Sequence, residues 1–199
     1  MTVLGCLCLV HLLANSAYSS IAPFYPQEAL NKGVPTSLHG IVFAAYSISM
    51  AIFSPMFARL LNTHSAREIL IMGCICEGVA MIVFGLFDYI SGPTAYACAS
   101  FLCRFLEGFG NGCLNSSSSK LLMIVFPEEK LARMNGILQS FTGLGMLVGP
   151  ILGSLLFRLG GFQLPFYTVG VLLLILAVVN YWTIPAGLEQ ESNSETSSF

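Results

Sequence analysis

The chain has 199 residues, of which 55% are hydrophobic and only 9% are charged, and its formal net charge is −2. Its mean hydropathy is +0.79. Because soluble domains carry about 25% charged residues, this composition excludes an ordinary soluble enzyme. The slightly acidic balance also argues against a nucleic-acid partner, which would require a basic surface. We therefore expect an integral membrane protein in contact with lipid.

Six apolar stretches are long enough to cross about 30 Å of hydrocarbon, which takes about 20 helical residues. They lie near residues 2–22, 37–60, 68–88, 94–117, 131–157 and 164–184. We number them as the first to the sixth span. The sequence therefore predicts an all-α, polytopic fold with one six-helix transmembrane domain over residues 1–185.

Turn residues separate the spans. Residues 24–36 contain Pro26, Pro35 and the turn Asn31-Lys32-Gly33, so we expect the chain to turn there between the first two spans. No breaker follows the fourth span, whose helix can extend toward Val125. The Ser- and Glu-rich segment 186–199 has no apolar period and is predicted to be a disordered tail.

The first span has an alternative interpretation as a cleaved signal peptide, because small residues follow it at positions 15–20. A signal peptide normally begins with Lys or Arg, and none precedes this apolar run. We therefore favour a membrane span.

Basic residues in the short loops predict the orientation of the chain in the membrane. With the N-terminus in the cytoplasm, five basic residues lie on the cytoplasmic side and two on the other. The five are Arg59, Arg67, Lys120, Lys130 and Arg133, and the two are Lys32 and Arg158. We expect both termini in the cytoplasm, with the protein in a vesicle or plasma membrane.

Seven cysteines are scattered through apolar runs, among them Cys6 with Cys8 and Cys74 with Cys76. Residues two apart on a helix point to different faces, so these pairs are poorly placed to share a ligand. We expect cysteines that pack as small hydrophobic residues, with no metal site, no disulfide framework and no cofactor.

Four ionisable residues lie well inside the spans, away from their ends: His11, Glu77, Arg104 and Glu107. Burying such groups is costly, so each is a candidate functional residue. A rise of 1.5 Å per residue places His11, Glu77 and Arg104 near the membrane midplane. In one hypothesis Arg104 pairs with Glu107 and adjusts the protonation of His11 or Glu77, which couples protons to a substrate. In the other, a static ion pair joins the first and fourth helices.

Polar amides accompany these ionisable groups. Asn15 lies on the first span, and Glu107, Asn111 and Asn115 follow one another at four-residue spacing on the fourth. Four-residue spacing places side chains on one helical face. Because a polar face cannot contact lipid, we expect it to line an aqueous cavity.

A glycine ladder occupies the fifth span. Gly145, Gly149 and Gly153 are four residues apart, with Pro150 between them and Gly136 before them. In membranes, such strips of small residues let another helix approach closely. The ladder therefore predicts a tightly packed membrane helix with a kink at Pro150.

The ladder resembles the antiporter motif of the major facilitator superfamily, Gly-x8-Gly-x3-Gly-Pro-x2-Gly-Gly, with Ser154 at its last position. Arg104, followed by Glu107 and Gly108, resembles that superfamily's fourth-helix motif. Segments 21–26 and 161–166 are similar to the vesicular amine and polyamine transporter branch. The resemblance covers residues 2–185 and implies two inverted three-helix repeats, which form the N-terminal half of a twelve-helix fold.

The resemblance implies proton-coupled antiport of a small organic solute, with the ladder packed against a helix of a second half and flexing at Pro150. Two departures limit it. Of the charged motif between the second and third spans, only Arg67 remains. His11 stands near the position where monoamine transporters have an acid, which disfavours monoamines. A polyamine or another organic cation remains possible through Glu77 or Glu107.

The length of the chain leaves alternatives open, because the family's fold has two such halves. A second six-helix half or a second copy of the chain is expected to complete a transporter. A half that does not transport, but binds and regulates a full-length relative, is the main alternative. A uniporter that uses the ion pair only structurally is a third.

Overall fold

The structure is a computed structural model that describes residues 2–185, and these residues form helices and turns without a strand. The predicted tail at 186–199 lies outside the described residues. In chain order the helices are α1 (Thr2–Ser20), α2 (Tyr25–Asn31), α3 (Thr36–Leu60), α4 (Ala66–Gly85), α5 (Pro93–Val125), α6 (Glu128–Gly160) and α7 (Gln163–Thr183). A short 3-10 helix, Leu86–Tyr89, follows α4.

The six long helices coincide with the six predicted spans, and α5 extends to Val125. Within residues 2–185, five segments are long and apolar enough to cross a membrane: Val3–Asn31, Thr36–Leu60, Ala66–Tyr89, Glu128–Gly160 and Gln163–Thr183. The remaining long helix, α5, has 33 residues but is less apolar. Its polar residues Arg104, Glu107 and Asn111 are buried inside the bundle, so they do not face lipid.

The long helices pack in a pattern that repeats with inverted order. The helix α1 packs along α6, α3 packs along α5, and α4 packs against α5 and α7. If the first three long helices (α1, α3, α4) are matched in order with the last three (α5, α6, α7), the α1–α6 pair corresponds to the α5–α3 pair. The α4–α7 pair then corresponds to itself. This symmetry is expected of two inverted three-helix repeats.

The predicted break at residues 24–36 separates α1 from α3, but its first half forms the short helix α2, which was not predicted. Pro26 lies in the first turn of this helix, where a missing backbone N–H leaves no hydrogen bond unmade. Gly33 follows the helix with φ +82°, a conformation that favours glycine. Tyr25 anchors α2 by stacking on Tyr96 of α5, with ring centroids 6.0 Å apart.

The bundle has two distinct ends. We call the end where α1 begins and α7 finishes the terminal end, and the opposite one the α2 end. At the α2 end, Lys32 Nζ donates to the carbonyls of Phe87 (3.3 Å), Asp88 (2.7 Å) and Ile90 (3.0 Å). Gln163 Nε2 donates to Asp88 Oδ2 at 3.2 Å, so three loops are joined there.

The glycine ladder of α6 packs against α1 of the same bundle. A Cβ atom on Gly145 would lie 2.4 Å from Leu12 O, one on Gly149 would lie 2.0 Å from Ser19 Oγ, and one on Gly153 would lie 2.4 Å from Ser20 O, all of them atoms of α1. The expectation that this face meets a helix of a second half was therefore wrong. The reason is that α1 has its own small residues, Ser16, Ser19 and Ser20, along the line of contact.

Two members of the predicted motif stand apart from this contact. Gly136 is exposed, and a Cβ there would meet no atom within 4 Å, so it does not belong to the packing face. Pro150 lies inside α6, which continues through it to Gly160. Because proline has no backbone N–H, the carbonyl of Met146 has no i→i−4 donor at this turn.

Candidate functional site

An ion pair lies in the middle of α5. The side chains of Arg104 and Glu107 are 0% and 1% exposed, and Arg104 Nη1 donates to Glu107 Oε2. Arg104 Nη2 donates to the backbone carbonyl of Tyr18 at 3.0 Å. The pair therefore also joins α5 to α1.

Three aromatic rings surround the guanidinium group. Its central carbon is 5.1 Å from the ring centroid of Tyr18 and 5.6 Å from those of Phe43 and Tyr46. The rings of Tyr18 and Tyr46 are themselves 4.3 Å apart. These distances fit cation–π attraction, so this site favours a cation. Phe43 and Tyr46 were not predicted as site residues, although their three-residue spacing places them on one face of α3.

A second buried carboxyl group lies on α4. Glu77 is 1% exposed, its Oε1 accepts from Asn111 Nδ2 at 3.5 Å, and its Oε2 has no partner among the described residues. The helices α4 and α5 pack closely here because Gly110 has no side chain; a Cβ atom on it would be 3.1 Å from Glu77 N. Glu77 takes part in neither ion pair within residues 2–185, because Arg104 is bound to Glu107.

The polar face of α5 is mostly enclosed rather than open. Glu107 and Asn111 are 1% and 3% exposed, contrary to the expectation that they line an aqueous cavity. Asn111 contacts Glu77 of α4, and Glu107 contacts Arg104 of α5 itself. Asn115 Nδ2 donates to Asn111 Oδ1 at 2.6 Å. Asn115 also lines an open groove of about 760 Å³ between α3 and α5 at the terminal end.

His11 and Asn15 lie on the same face of α1 as Tyr18, nearer the terminal end. His11 Nε2 is 3.0 Å from Ser118 Oγ on α5, and its Nδ1 is 3.2 Å from Thr142 Oγ1 on α6. Asn15 Nδ2 donates to the carbonyl of His11 at 2.8 Å. Both ring nitrogens of this histidine therefore have hydroxyl partners, and the structure does not bring it to Arg104.

Arg67 joins two helices at the terminal end. Its Nη2 donates to the carbonyl of Tyr181, and its guanidinium carbon is 4.5 Å from the Tyr181 ring centroid. A cation beside the last carbonyls of α7 is favourable, because the C-terminal end of a helix carries partial negative charge. The residue thus connects the start of α4 to the end of α7.

These features, a six-helix bundle of two inverted repeats with a buried charged centre, define a class of membrane transport proteins. The model of the Major Facilitator Superfamily matches residues 7–198. The chain belongs to this superfamily and is an integral, multi-pass membrane protein.

Among its relatives, MFS-type transporter SLC18B1 of Mus musculus is 32% identical over 182 residues, which are 92% of this chain and 39% of that protein. The synaptic vesicular amine transporter of Homo sapiens is 26% identical over 189 residues, 94% of this chain and 35% of that protein. The chain thus spans well under half the length of these relatives.

A solved structure shares the fold. It is the crystal structure of a bacterial homolog to the human lysosomal transporter Spinster, in an inward-facing and unoccupied conformation. The match has a TM-score of 0.79 at 15% identity and covers 92% of this chain and 42% of the other. At this identity the likeness concerns the fold alone.

Proposed function

We propose that the chain forms the N-terminal six-helix half of a transporter that exchanges protons for a small organic cation, such as a polyamine. One observation carries the proposal: two buried carboxyl groups, Glu77 and Glu107, share a centre with one buried cation, Arg104. If both carboxyl groups ionised, one negative charge would stay buried without a partner, which is costly. A proton or a cationic substrate can neutralise it.

The ion pair gives this exchange a mechanical consequence. When Glu107 is ionised, it holds the guanidinium of Arg104, which also binds the backbone of Tyr18 on α1. A proton on Glu107 removes the attraction and frees Arg104. The contact between α1 and α5 can then change, which is the kind of local event that biases a two-state transporter.

The chemistry around Arg104 favours an organic cation as the substrate. The rings of Tyr18, Phe43 and Tyr46 attract positive charge, and the two carboxyl groups do the same. One relative is named a synaptic vesicular amine transporter, which supports an amine. His11 in place of an acid on α1 favours a polyamine over a monoamine.

A second bundle is required for alternating access, because the site lies between two halves in this kind of fold. Exposed apolar residues on α6, among them Leu147 and Ile151 at 69% exposure each, offer it a surface. Ile48 and Ile52 on α3 are also exposed, at 52% and 55%. We propose that a further six-helix half or a second copy of the chain covers part of these faces and that lipid covers the rest. The membrane is that of a vesicle or the plasma membrane, with both termini on its cytoplasmic side.

A flux screen tests the proposed function. The full chain is reconstituted into liposomes, and the uptake of labelled amines and polyamines is measured with an acidic lumen. We expect accumulation of a polyamine that a protonophore abolishes. Uptake that is insensitive to the pH gradient would exclude antiport and leave a uniporter.

The same surfaces favour one alternative, in which the chain does not transport but binds a full-length relative. In that case the liposomes show no flux of any amine. The tagged chain then co-purifies with a full-length relative from membranes in which both are expressed, and it changes that relative's uptake. A tagged chain with Leu147→Asn and Ile151→Asn serves as the control that should not bind.

A further inference from the structure

We propose that Glu77 exchanges its proton with the terminal end of the bundle, through Asn111 and Asn115 and the groove between α3 and α5. This inference rests on the proposed proton coupling and adds a route to it. The route runs along α4 and α5 inside this six-helix half.

The hydrogen-bonded connection begins at Glu77. Its Oε1 is 3.5 Å from Asn111 Nδ2, the upper limit of a hydrogen bond, while Oε2 is unpartnered among the described residues and buried. Asn111 Oδ1 in turn accepts from Asn115 Nδ2 at 2.6 Å. Since an uncharged amide does not pass protons readily, we assign these two residues the role of holding water in line.

The groove supplies the water. Its volume is about 760 Å³, and it is open at the terminal end. Hydroxyl, amide and ammonium groups line it together with apolar side chains; the polar ones belong to Ser54, Asn62, Asn115, Ser116, Ser119 and Lys120. From Asn111 to Ser119, α5 rises by about 12 Å. The proposed route therefore requires a short file of water along this distance, from the groove to Glu77.

The charged and titratable neighbours of Glu77 make a proton the suitable partner. From α5 they are Arg104, Glu107 and Cys113, from α3 Tyr46, and from α4 itself Cys74 and Cys76. From α7, Gly170 and Leu174 lie against Gly78 of α4, and neither has a titratable side chain. The one cation of this group, Arg104, is already bound to Glu107. A proton delivered from outside is thus the charge that Glu77 can gain or lose.

Infrared difference spectroscopy on the full chain in lipid nanodiscs tests the route. The carbonyl band of protonated Glu77 is assigned by its loss in Glu77→Gln, and its shift on transfer to D₂O gives an exchange rate. We expect Asn115→Leu to slow this exchange by about tenfold, the effect of losing one hydrogen-bonded step. Ser119→Trp blocks the groove from its exposed rim and should slow the exchange as well, without disturbing the core.

A matched control is Asn180→Leu, which removes a buried amide from α7, away from the groove. It should leave the exchange rate of Glu77 unchanged. Equal rates in wild type, Asn115→Leu and Ser119→Trp would overturn the route, even if the liposomes show proton-driven flux. Slowed exchange in these variants together with absent flux would keep the route and reject transport by copies of this chain alone.

Discussion

Gly145 of α6 lies directly against the backbone of Leu12 on α1, so close that a Cβ atom on the glycine would be 2.4 Å from the carbonyl oxygen of Leu12. The hydroxyl of Ser16 reinforces this contact by donating to the carbonyl of Gly145 at 3.2 Å. Because a backbone carbonyl cannot move aside as a side chain can, α1 and α6 hold each other in one register.

We expect Gly145→Ala to destabilise the protein by about 1–3 kcal/mol, the typical effect of overpacking a close contact. Thermal unfolding in detergent measures it. The matched control is Gly143→Ala on the same helix, where a Cβ would meet no atom within 4 Å. This control should be neutral or slightly stabilising, because alanine is the better helix former. Equal effects of the two substitutions would contradict the proposed packing.

Replacing one member of the Arg104–Glu107 ion pair should destabilise the protein more than replacing both members. Arg104→Met leaves Glu107 buried without its partner, which costs about 3–5 kcal/mol. The double variant Arg104→Met with Glu107→Leu should recover most of that stability, since no buried charge of the pair is left. Unfolding midpoints of both single variants and the double variant measure the coupling. Additive losses would show that the two side chains do not interact.

Lys32 should stabilise the α2 end. Lys32→Met removes its hydrogen bonds to the carbonyls of Phe87, Asp88 and Ile90, and we expect a loss of about 1.5–3 kcal/mol for a charged donor. Hydrogen exchange at residues 86–90 should become faster. The exposed Lys130, changed to Met, is the control and should have little effect. Unchanged exchange at 86–90 in Lys32→Met would contradict this role.

His11 should contribute to packing rather than to coupling. We expect His11→Gln to keep contacts with Ser118 and Thr142, because a glutamine amide both donates and accepts hydrogen bonds. The dependence of flux on the pH gradient should then equal that of the wild type. A shifted pH profile with unchanged protein stability would instead restore His11 as a proton-coupling residue.

The long helices were predicted well from the length and hydropathy of the apolar stretches. The short helix α2, which begins next to a proline, was not predicted. Six long apolar stretches correspond to six long helices, because hydrocarbon thickness dictates their length. Pro26 was interpreted as a breaker, yet it occupies a first turn, where proline is tolerated. The sequence around Pro26 does not by itself distinguish these two positions.

The site was predicted as a set of residues but not as a set of contacts. The three-residue spacing of Arg104 and Glu107 predicted their pairing, because that distance lies within one helix. The partners of Glu77 and His11 depend on how separate helices pack, and helical spacing contains no information on that. For the same reason the glycine ladder predicted a close contact without identifying α1 as the partner.

The most direct test of proton coupling through the buried pair compares the wild type with Glu107→Gln in liposomes that have an acidic lumen. Asn180→Leu serves as the control for general damage to the core. We expect the pH gradient to drive polyamine uptake in the wild type and in the control, and to drive none in Glu107→Gln, which cannot gain or lose the proton. Gradient-driven uptake that persists unchanged in Glu107→Gln would contradict the account.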